Sequence, residues 1–210
     1  MTPRMIAAAD AAKGFLPTQE AAALHHAGLA AGAEGRGPFL EVGAYCGKSS
    51  VWLGAAARRS GMVVFSVDHH RGSEENQAGW EWHDHELVDA GTGRMDTLPW
   101  WRATVGAAGL EDVVIGVVGD SPTVGTHWGT PLGLLFIDGG HSEECVRADE
   151  AAWIRHVASG GLLAIHDVYS DPKDGGRPPY ELYRRLLEGG NFVEEQGLGE
   201  GSLRVLRERR

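Results

Sequence analysis

Five short apolar runs dominate the sequence, at 39–42, 62–67, 112–118, 132–137 and 162–165. Each is nearly continuous in apolar residues and lacks the alternation that marks a strand with one solvated face. Such runs are typical of parallel strands that are buried on both faces. Helix-forming segments separate several of them, including 48–59 and 143–158. The pattern therefore predicts a doubly wound α/β fold.

The two ends of the chain add to this plan. Residues 18–33 are rich in Ala and Leu, which predicts a helix that is capped by Thr18 and ends at a Gly-rich break. A helix over 179–187 precedes two strand-like segments, 192–196 and 202–206. Strands this close must pair antiparallel, because a parallel return needs a crossover of about a dozen residues. We therefore expect a mostly parallel, seven-stranded sheet with an antiparallel C-terminal hairpin.

The charge balance bears on the partners of the chain. It has 19 Lys and Arg against 29 Asp and Glu, which gives a formal net charge of −10. Nucleic-acid binders and peripheral membrane proteins usually carry a basic surface, so neither partner is expected. No window approaches the roughly 18 apolar residues of a membrane span. The two cysteines are too few for a disulfide framework, and we expect a cytoplasmic protein.

A carboxylate ends each of the five predicted strands: Glu41, Asp68, Asp120, Asp138 and Asp167. One such acid is readily explained as a helix cap. Ligands of open parallel sheets bind at the carboxyl ends of the strands, so five acids in this position predict one acidic crevice. Because like charges repel, the crevice needs hydroxyls, amines or a cation to stabilise it.

The turn after the first run, EVGAYCGKSS at 41–50, limits the choice of ligand. The phosphate-binding loop requires four residues between its glycines, whereas three separate Gly43 from Gly47. The dinucleotide fingerprint fails as well, because Tyr45 stands where its second glycine belongs. The following GKS and the strand LLFID still keep a phosphate-loop kinase or NTPase open as an alternative, and a non-catalytic nucleoside-binding protein is another.

Glu41 and Asp68 favour a different ligand. A carboxylate beside the glycine loop suits a cationic group, and an acid about 25 residues past Gly43 suits ribose hydroxyls. Ser49 and Ser50 open the next helix, where a hydroxyl and free N–H groups suit the carboxylate of an amino acid. A cationic amino acid joined to a nucleoside describes S-adenosylmethionine.

Several segments, in order along the chain, resemble motifs of the class I S-adenosylmethionine-dependent methyltransferases. FLEVGAYCGKSS resembles their first motif, FSVDHH the ribose-binding motif, VVGDS the adenine-side motif, and LLFIDGGH with GGLLAIHDVY the fourth and fifth. The chain is most similar to small-molecule O-methyltransferases related to macrolide-sugar methyltransferases and the cephalosporin-hydroxylase-like group. The resemblance implies a Rossmann-like methyltransferase fold and methyl transfer to a hydroxyl of a natural product or sugar.

The resemblance also assigns residues. Together with the residues of the turn at 41–50, the resemblance predicts ten residues that contact the cofactor: Glu41, Gly43, Tyr45, Ser49, Ser50, Asp68, His69, Asp120, Ser121 and Asp138. It implies His141 as general base, with a helix cap as the alternative. Asp138, His166 and Asp167 are the implied ligands of magnesium or another divalent metal. Some relatives have a carboxylate where His166 stands, and imidazole prefers softer ions than magnesium. The metal is therefore open, and the alternative is an Asp pair that only hydrogen-bonds loop amides.

We interpret residues 1–210 as a single methyltransferase domain. Residues 1–36 form an N-terminal helical extension in this interpretation, and the irregular stretch 69–98 is an acceptor-side loop or lid. The segment WEWHDH at 80–85 forms an aromatic wall for a small-molecule acceptor, or alternatively an amphipathic helix with its tryptophans packed inward. The resemblance is also compatible with a homodimer.

Overall fold

The computed structural model describes residues 1–171 and 173–209, and within them seven strands form a sheet in the order β3-β2-β1-β4-β5-β7-β6. The strands are β1 (Phe39–Val42), β2 (Val64–Asp68), β3 (Val114–Val118), β4 (Leu132–Ile137), β5 (Val157–Ile165), β6 (Phe192–Glu194) and β7 (Arg204–Glu208). β1 to β5 pair parallel, while β7 pairs antiparallel with both β5 and β6. The predicted doubly wound fold and its C-terminal hairpin are confirmed.

In the part of the chain that the structure describes, seven α-helices surround the sheet: α1 (Pro3–Ala11), α2 (Thr18–Glu34), α3 (Lys48–Ser60), α4 (Leu98–Ala108), α5 (Ser121–Thr126), α6 (Glu143–Trp153) and α7 (Arg177–Glu188). Short 3₁₀ turns lie at Glu74–Asn76, His85–Leu87 and Ile154–His156. In the described ranges, no helix combines the length and the apolar character needed to cross a bilayer.

Several boundaries differ from the sequence-based expectation; β5 begins at Val157 rather than at 162, for example, and β7 spans Arg204–Glu208 rather than 202–206. Two further differences concern helix ends. Thr18 does not cap α2, because the N-cap is Pro17 and no side chain caps the helix there. The helix expected over 143–158 ends at Trp153, since β5 already begins at Val157 and pairs with Leu132 of β4. The pairing of β5 with β4 thus makes Val157 part of a strand, although the local composition favours a helix.

The core lies on both faces of the sheet, as the continuous apolar runs require. Phe39 and Phe136 point toward α1 to α4, whereas Leu40 and Leu135 point toward α6 and α7. All four side chains are fully buried. Burying one such side chain contributes about 1.5–3 kcal/mol, so the central strands are strong anchors for the loops at their ends.

The strand order reverses between β1 and β4, since the chain runs outward through β2 and β3 before it returns to the other side of β1. Helices connect the strands on opposite faces at this point, which opens a crevice at the carboxyl ends. The sheet topology therefore brings the loops after β1, β2, β4 and β5 together.

The N-terminal helices pack directly against this framework. α2 lies so close to α3 that a Cβ on Gly28 would come within 2.7 Å of the Cβ of Ala56. Helices approach this closely only where a side chain is missing, and the contact holds α2 beside the sheet.

We expect Gly28→Ala to destabilise the protein by about 1–3 kcal/mol, because the added methyl overpacks the contact between α2 and α3. Gly129→Ala is the matched control, since a Cβ at Gly129 meets no atom within 4 Å. Urea unfolding measures both variants. Equal stability of the two variants would contradict the tight helix contact.

Candidate functional site

A cavity of about 780 Å³ opens at the carboxyl ends of the central strands. Gly43, Asp68, Asp120, Asp138 and Asp167 all line it. Four of the five predicted strand-end acids thus meet in one crevice, as expected from the parallel sheet. The volume suits a ligand of cofactor or drug size.

The loop after β1 is held against the loop after β4. Gly43 has φ +88°, and a Cβ there would lie 2.0 Å from the carbonyl oxygen of Asp138. Only glycine combines this left-handed conformation with so close an approach. The backbone N–H of Tyr45 donates to Asp68 Oδ2 at 2.8 Å, and that of His70 donates to Oδ1 at 2.7 Å. Asp68 therefore joins the loops after β1 and β2.

Glu41 and Ser50 do not line the cavity, contrary to their predicted contact with the cofactor. Both are fully buried, and Ser50 and Ser66 donate hydroxyl hydrogen bonds to Glu41 Oε1. Burial raises the pKa of Glu41 to about 7, although the serine donors oppose it. The reason for the correction is positional: Glu41 lies within β1 and points under α3, whereas Asp138 and Asp167 lie beyond the last residues of β4 and β5.

The other residues predicted at the cofactor line the cavity in different ways. Tyr45, Ser49 and His69 border it. Asp120 also borders it while capping α5, because its Oδ2 accepts from the N–H of Thr123 at 3.1 Å. For Asp120, the role of helix cap and the predicted position at the cofactor site are therefore compatible.

Ser121 depends on a buried acid that the sequence did not reveal. Its hydroxyl donates to Asp149 Oδ1 at 2.6 Å and accepts from Trp153 Nε1 at 2.8 Å. Asp149 lines the cavity, and burial raises its pKa to about 6. It was missed because it lies inside helix α6, where one acid among several gives no signal.

His141 lies among carboxylates. Its Nδ1 is 3.1 Å from Glu75 Oε2, and its Nε2 is 3.0 Å from Asp167 Oδ2 without the alignment of a hydrogen bond. Burial disfavours the charged imidazole, but the carboxylates of Asp167, Glu75 and Asp138 outweigh it and raise the pKa of His141 to about 10. The cap alternative is wrong, because Ser142 caps α6.

His166 differs from its predicted role as a metal ligand. Its Nε2 lies 2.6 Å from Glu20 Oε2, its Nδ1 lies 3.0 Å from Asp138 Oδ1, and its side chain is 3% exposed. A metal ligand must offer a nitrogen lone pair, and both nitrogens here face carboxylate oxygens. The residues whose ligand atoms lie within 4.8 Å of one another are instead Asp138, His141 and Asp167. His141 thus replaces His166 in the candidate metal group.

The backbone of Asp167 is strained, with φ +55° in a residue other than glycine. Such a conformation costs on the order of 1–3 kcal/mol and is concentrated at functional sites. It places the Asp167 carboxylate beside both histidines. Burial opposes ionisation of this carboxyl, yet its contacts with His141 and His166 hold its pKa well below the ordinary range.

Three of the aromatic side chains that line the cavity lie together: Phe15, Tyr45 and Trp82. The Phe15 ring lies 5.6 Å from that of Tyr45 and 5.2 Å from that of Trp82. Phe15 is 56% and Trp82 48% exposed. Residues 80–84 form a turn followed by irregular backbone, and a short 3₁₀ turn begins at His85, so the alternative of an amphipathic helix is wrong.

Lys13 connects the segment between α1 and α2 to the same loop. Its Nζ lies 2.5 Å from Asp84 Oδ2 and 2.6 Å from Glu86 Oε2. Lys13 and Phe15 were not predicted at the site, because no motif covers this connector. Both line the cavity, so the N-terminal segment contributes one of its walls.

The comparisons with known proteins agree with this geometry. A family model described as "Methyltransferase domain" matches residues 40–168, which is more than half of the chain. The chain therefore belongs to this methyltransferase family, and its fold is that of the class I S-adenosylmethionine-dependent methyltransferases. The match does not favour the phosphate-loop and non-catalytic alternatives.

Solved structures share the fold at low sequence identity. Cofactor-bound Rv0187 from MTB superposes with a TM-score of 0.62 at 21% identity, over 98% of this chain and 88% of that one. The O-methyltransferase NovP superposes with a TM-score of 0.67 at 15% identity, over 89% of this chain and 78% of that one. An O-methyltransferase from Bacillus cereus in complex with SAH superposes with a TM-score of 0.62 at 15% identity, over 100% of this chain and 92% of that one.

We expect His141 to remain protonated well above neutral pH in the ligand-free, EDTA-treated protein. Its pKa of about 10 lies above the ordinary value of 6.5. The stabilisation of the folded protein by the charged His141 ring is therefore complete below about pH 6.5 and is lost as the pH rises through about 10. NMR titration of the His141 ring measures the pKa directly. The stability advantage over His141→Asn should shrink between pH 6 and pH 10, and a ring that titrates near 6.5 would contradict the prediction.

Proposed function

We propose that the protein transfers the methyl group of S-adenosylmethionine to a hydroxyl of a small molecule. The observation that carries the proposal is the meeting of Asp68 and the Gly43 loop with the group of Asp138, His141 and Asp167 in one cavity. The first pair suits a nucleoside with an amino-acid tail, and the second group suits a hydroxyl that must lose its proton.

The cofactor fits the half of the cavity built by β1 and β2. Both oxygens of Asp68 accept backbone hydrogen bonds, and a carboxylate has further lone pairs that can accept from two ribose hydroxyls. Ser49 lies in the first turn of α3, where free N–H groups favour a carboxylate. Tyr45, His69, Asp120 and Ser121 complete this half.

Methyl transfer asks two things of the protein. The methyl group on a sulfonium is already activated, so the chain has to hold the acceptor oxygen in line with it and to accept its proton. His141 is the proposed base, and its raised pKa means that it is charged before ligands bind. Positive charge brought into the cavity by the sulfonium opposes the imidazolium and lowers that pKa. Binding of the cofactor thus prepares His141 to accept a proton.

The residues also fit a divalent cation. His141 Nε2 is buried without an aligned hydrogen-bond partner among the described residues, and it faces the carboxylates of Asp138 and Asp167. Such a cation would be held by these three side chains, and it would lower the pKa of the acceptor hydroxyl. Coordination and proton acceptance would use the same Nε2 lone pair, so metal ligand and general base are alternative roles for His141. One nitrogen and two oxygen ligands suit manganese, iron or zinc better than magnesium.

The acceptor is proposed to lie against the exposed rings of Phe15 and Trp82. Exposed aromatic side chains beside a cavity are favourable surfaces for flat or sugar-like molecules, because they bury large apolar areas. This surface belongs to the N-terminal segment and the 69–98 loop, and neither Phe15 nor Trp82 lies in a recognised motif.

We expect S-adenosylhomocysteine to bind in isothermal titration, whereas ATP does not. Asp68→Asn should weaken the binding of S-adenosylhomocysteine by about tenfold or more, since charge-assisted hydrogen bonds to ribose are lost. Asp112→Asn is the matched control, because Asp112 is exposed and pairs with Arg58 away from the cavity. Tight ATP binding without a response to S-adenosylhomocysteine would overturn the proposed function.

Trp82→Ala should raise the KM for the acceptor about tenfold and leave kcat within a factor of two, because the lost contact is made equally in the ground and transition states. The acceptor would first be found by screening hydroxylated aromatic compounds and glycosides with methyl-labelled S-adenosylmethionine. Trp80→Ala is the control, since Trp80 is equally exposed but does not line the cavity. Equal effects of the two variants would show that this acceptor surface is wrongly placed.

A further inference from the structure

A buried carboxylate from the N-terminal helix α2 reaches the end of the sheet. Glu20 is 6% exposed, and its Oε1 accepts from the backbone N–H of Ser202 at 2.8 Å. Its Oε2 lies 2.6 Å from His166 Nε2. A buried charge of this kind is costly unless it is paired and hydrogen-bonded, and Glu20 is both. The contact spans 146 residues of sequence.

His166 passes this contact on to the candidate site. Its other nitrogen, Nδ1, lies 3.0 Å from Asp138 Oδ1. The backbone of Asp138 is already held by its N–H bond to Val42 O at 2.9 Å, so the contact with His166 fixes the remaining freedom of the side chain. Glu20, His166 and Asp138 thus form a continuous line from α2 to the cavity wall.

We propose that Glu20 and His166 are positioning residues, which orient the carboxylate of Asp138 toward the cavity. His166 is the link: Glu20 holds one face of the ring, and the opposite nitrogen holds Asp138. Partners of this kind restrict ligand orientation, and their loss typically costs 10–100-fold in metal affinity or activity. The consequence for metal binding rests on the proposed function, whereas the orientation of Asp138 does not.

This arrangement accounts for the histidine at a position where some proteins that the chain resembles have a carboxylate. A third acid beside Asp138 and Asp167 would add repulsion to a site that already holds two. An imidazole that bonds two carboxylates through its two nitrogens removes that repulsion, and it needs Glu20 as its second partner. The N-terminal extension is thereby coupled to the chemistry of the strand ends.

Two substitutions of His166 separate positioning from simple packing. The amide nitrogen of His166→Asn takes the place of Nδ1 and can still donate to Asp138. The amide nitrogen of His166→Gln takes the place of Nε2 and can reach only Glu20. Each variant leaves one carboxylate without its imidazole partner, buried Glu20 in His166→Asn and half-buried Asp138 in His166→Gln, so we expect a loss in the thermal midpoint from each.

The first measurement needs no ligand. The ¹³Cγ resonance of Asp138 in the full chain, assigned with Asp138→Asn, should move in both variants because both lose the imidazole, and clearly further in His166→Gln than in His166→Asn, which keeps a donor to Asp138. In wild type, Glu20→Ala should also move this resonance. In the His166→Asn background, which no longer reaches Glu20, the same change should have little further effect.

The second measurement titrates the full chain with Mn²⁺, followed by electron paramagnetic resonance. We expect Mn²⁺ to bind about 10–100-fold more weakly to His166→Gln than to wild type, and within about threefold of wild type to His166→Asn. S-Adenosylhomocysteine affinity should be unchanged in both variants.

The outcomes are distinguishable. An Asp138 resonance that does not move in His166→Gln, or that moves equally in both variants, overturns the positioning role. Wild-type protein that binds no Mn²⁺ removes the metal from the proposed function, and failure to bind S-adenosylhomocysteine removes the cofactor. Neither of these results affects the test by NMR.

Discussion

Electrostatic repulsion among carboxylates is the constraint on which the candidate site depends. The parallel sheet brings Asp138 and Asp167 to the same edge, and Glu75 and Glu20 approach them from a loop and a helix. Unpaired buried carboxylates would destabilise the fold. Two imidazoles, His141 and His166, lie between them and hold raised pKa values through those contacts. The histidines are therefore part of what makes the crevice stable without a ligand.

The two histidines nevertheless have different surroundings, and this difference separates their roles. His166 is almost fully buried and bonded through both nitrogens, so it is a fixed part of the wall. His141 lines the cavity and keeps one nitrogen without an aligned partner in the described ranges. A group that must exchange a proton with a ligand needs the second environment. Histidine thus has a structural role at position 166 and, in our proposal, a catalytic role at position 141.

The N-terminal segment contributes more to the site than an appended helix would. Lys13 ties it to the 69–98 loop, Phe15 lies at the cavity, and Glu20 reaches His166. None of these residues belongs to a recognisable motif. Their roles follow from the packing of α2 against α3, which the close contact at Gly28 allows.

The sequence by itself determined the sheet, its doubly wound order and the crevice, because continuous apolar runs and the position of acids after strands are local properties. It placed Asp68, Asp138 and Asp167 at one edge for this reason. Only the tertiary structure decided that Glu41 points under α3, that His141 rather than His166 joins the two aspartates, and that Glu20 and Asp149 matter. Those outcomes depend on side-chain direction and on contacts between residues far apart in the chain, and neither leaves a trace in local spacing.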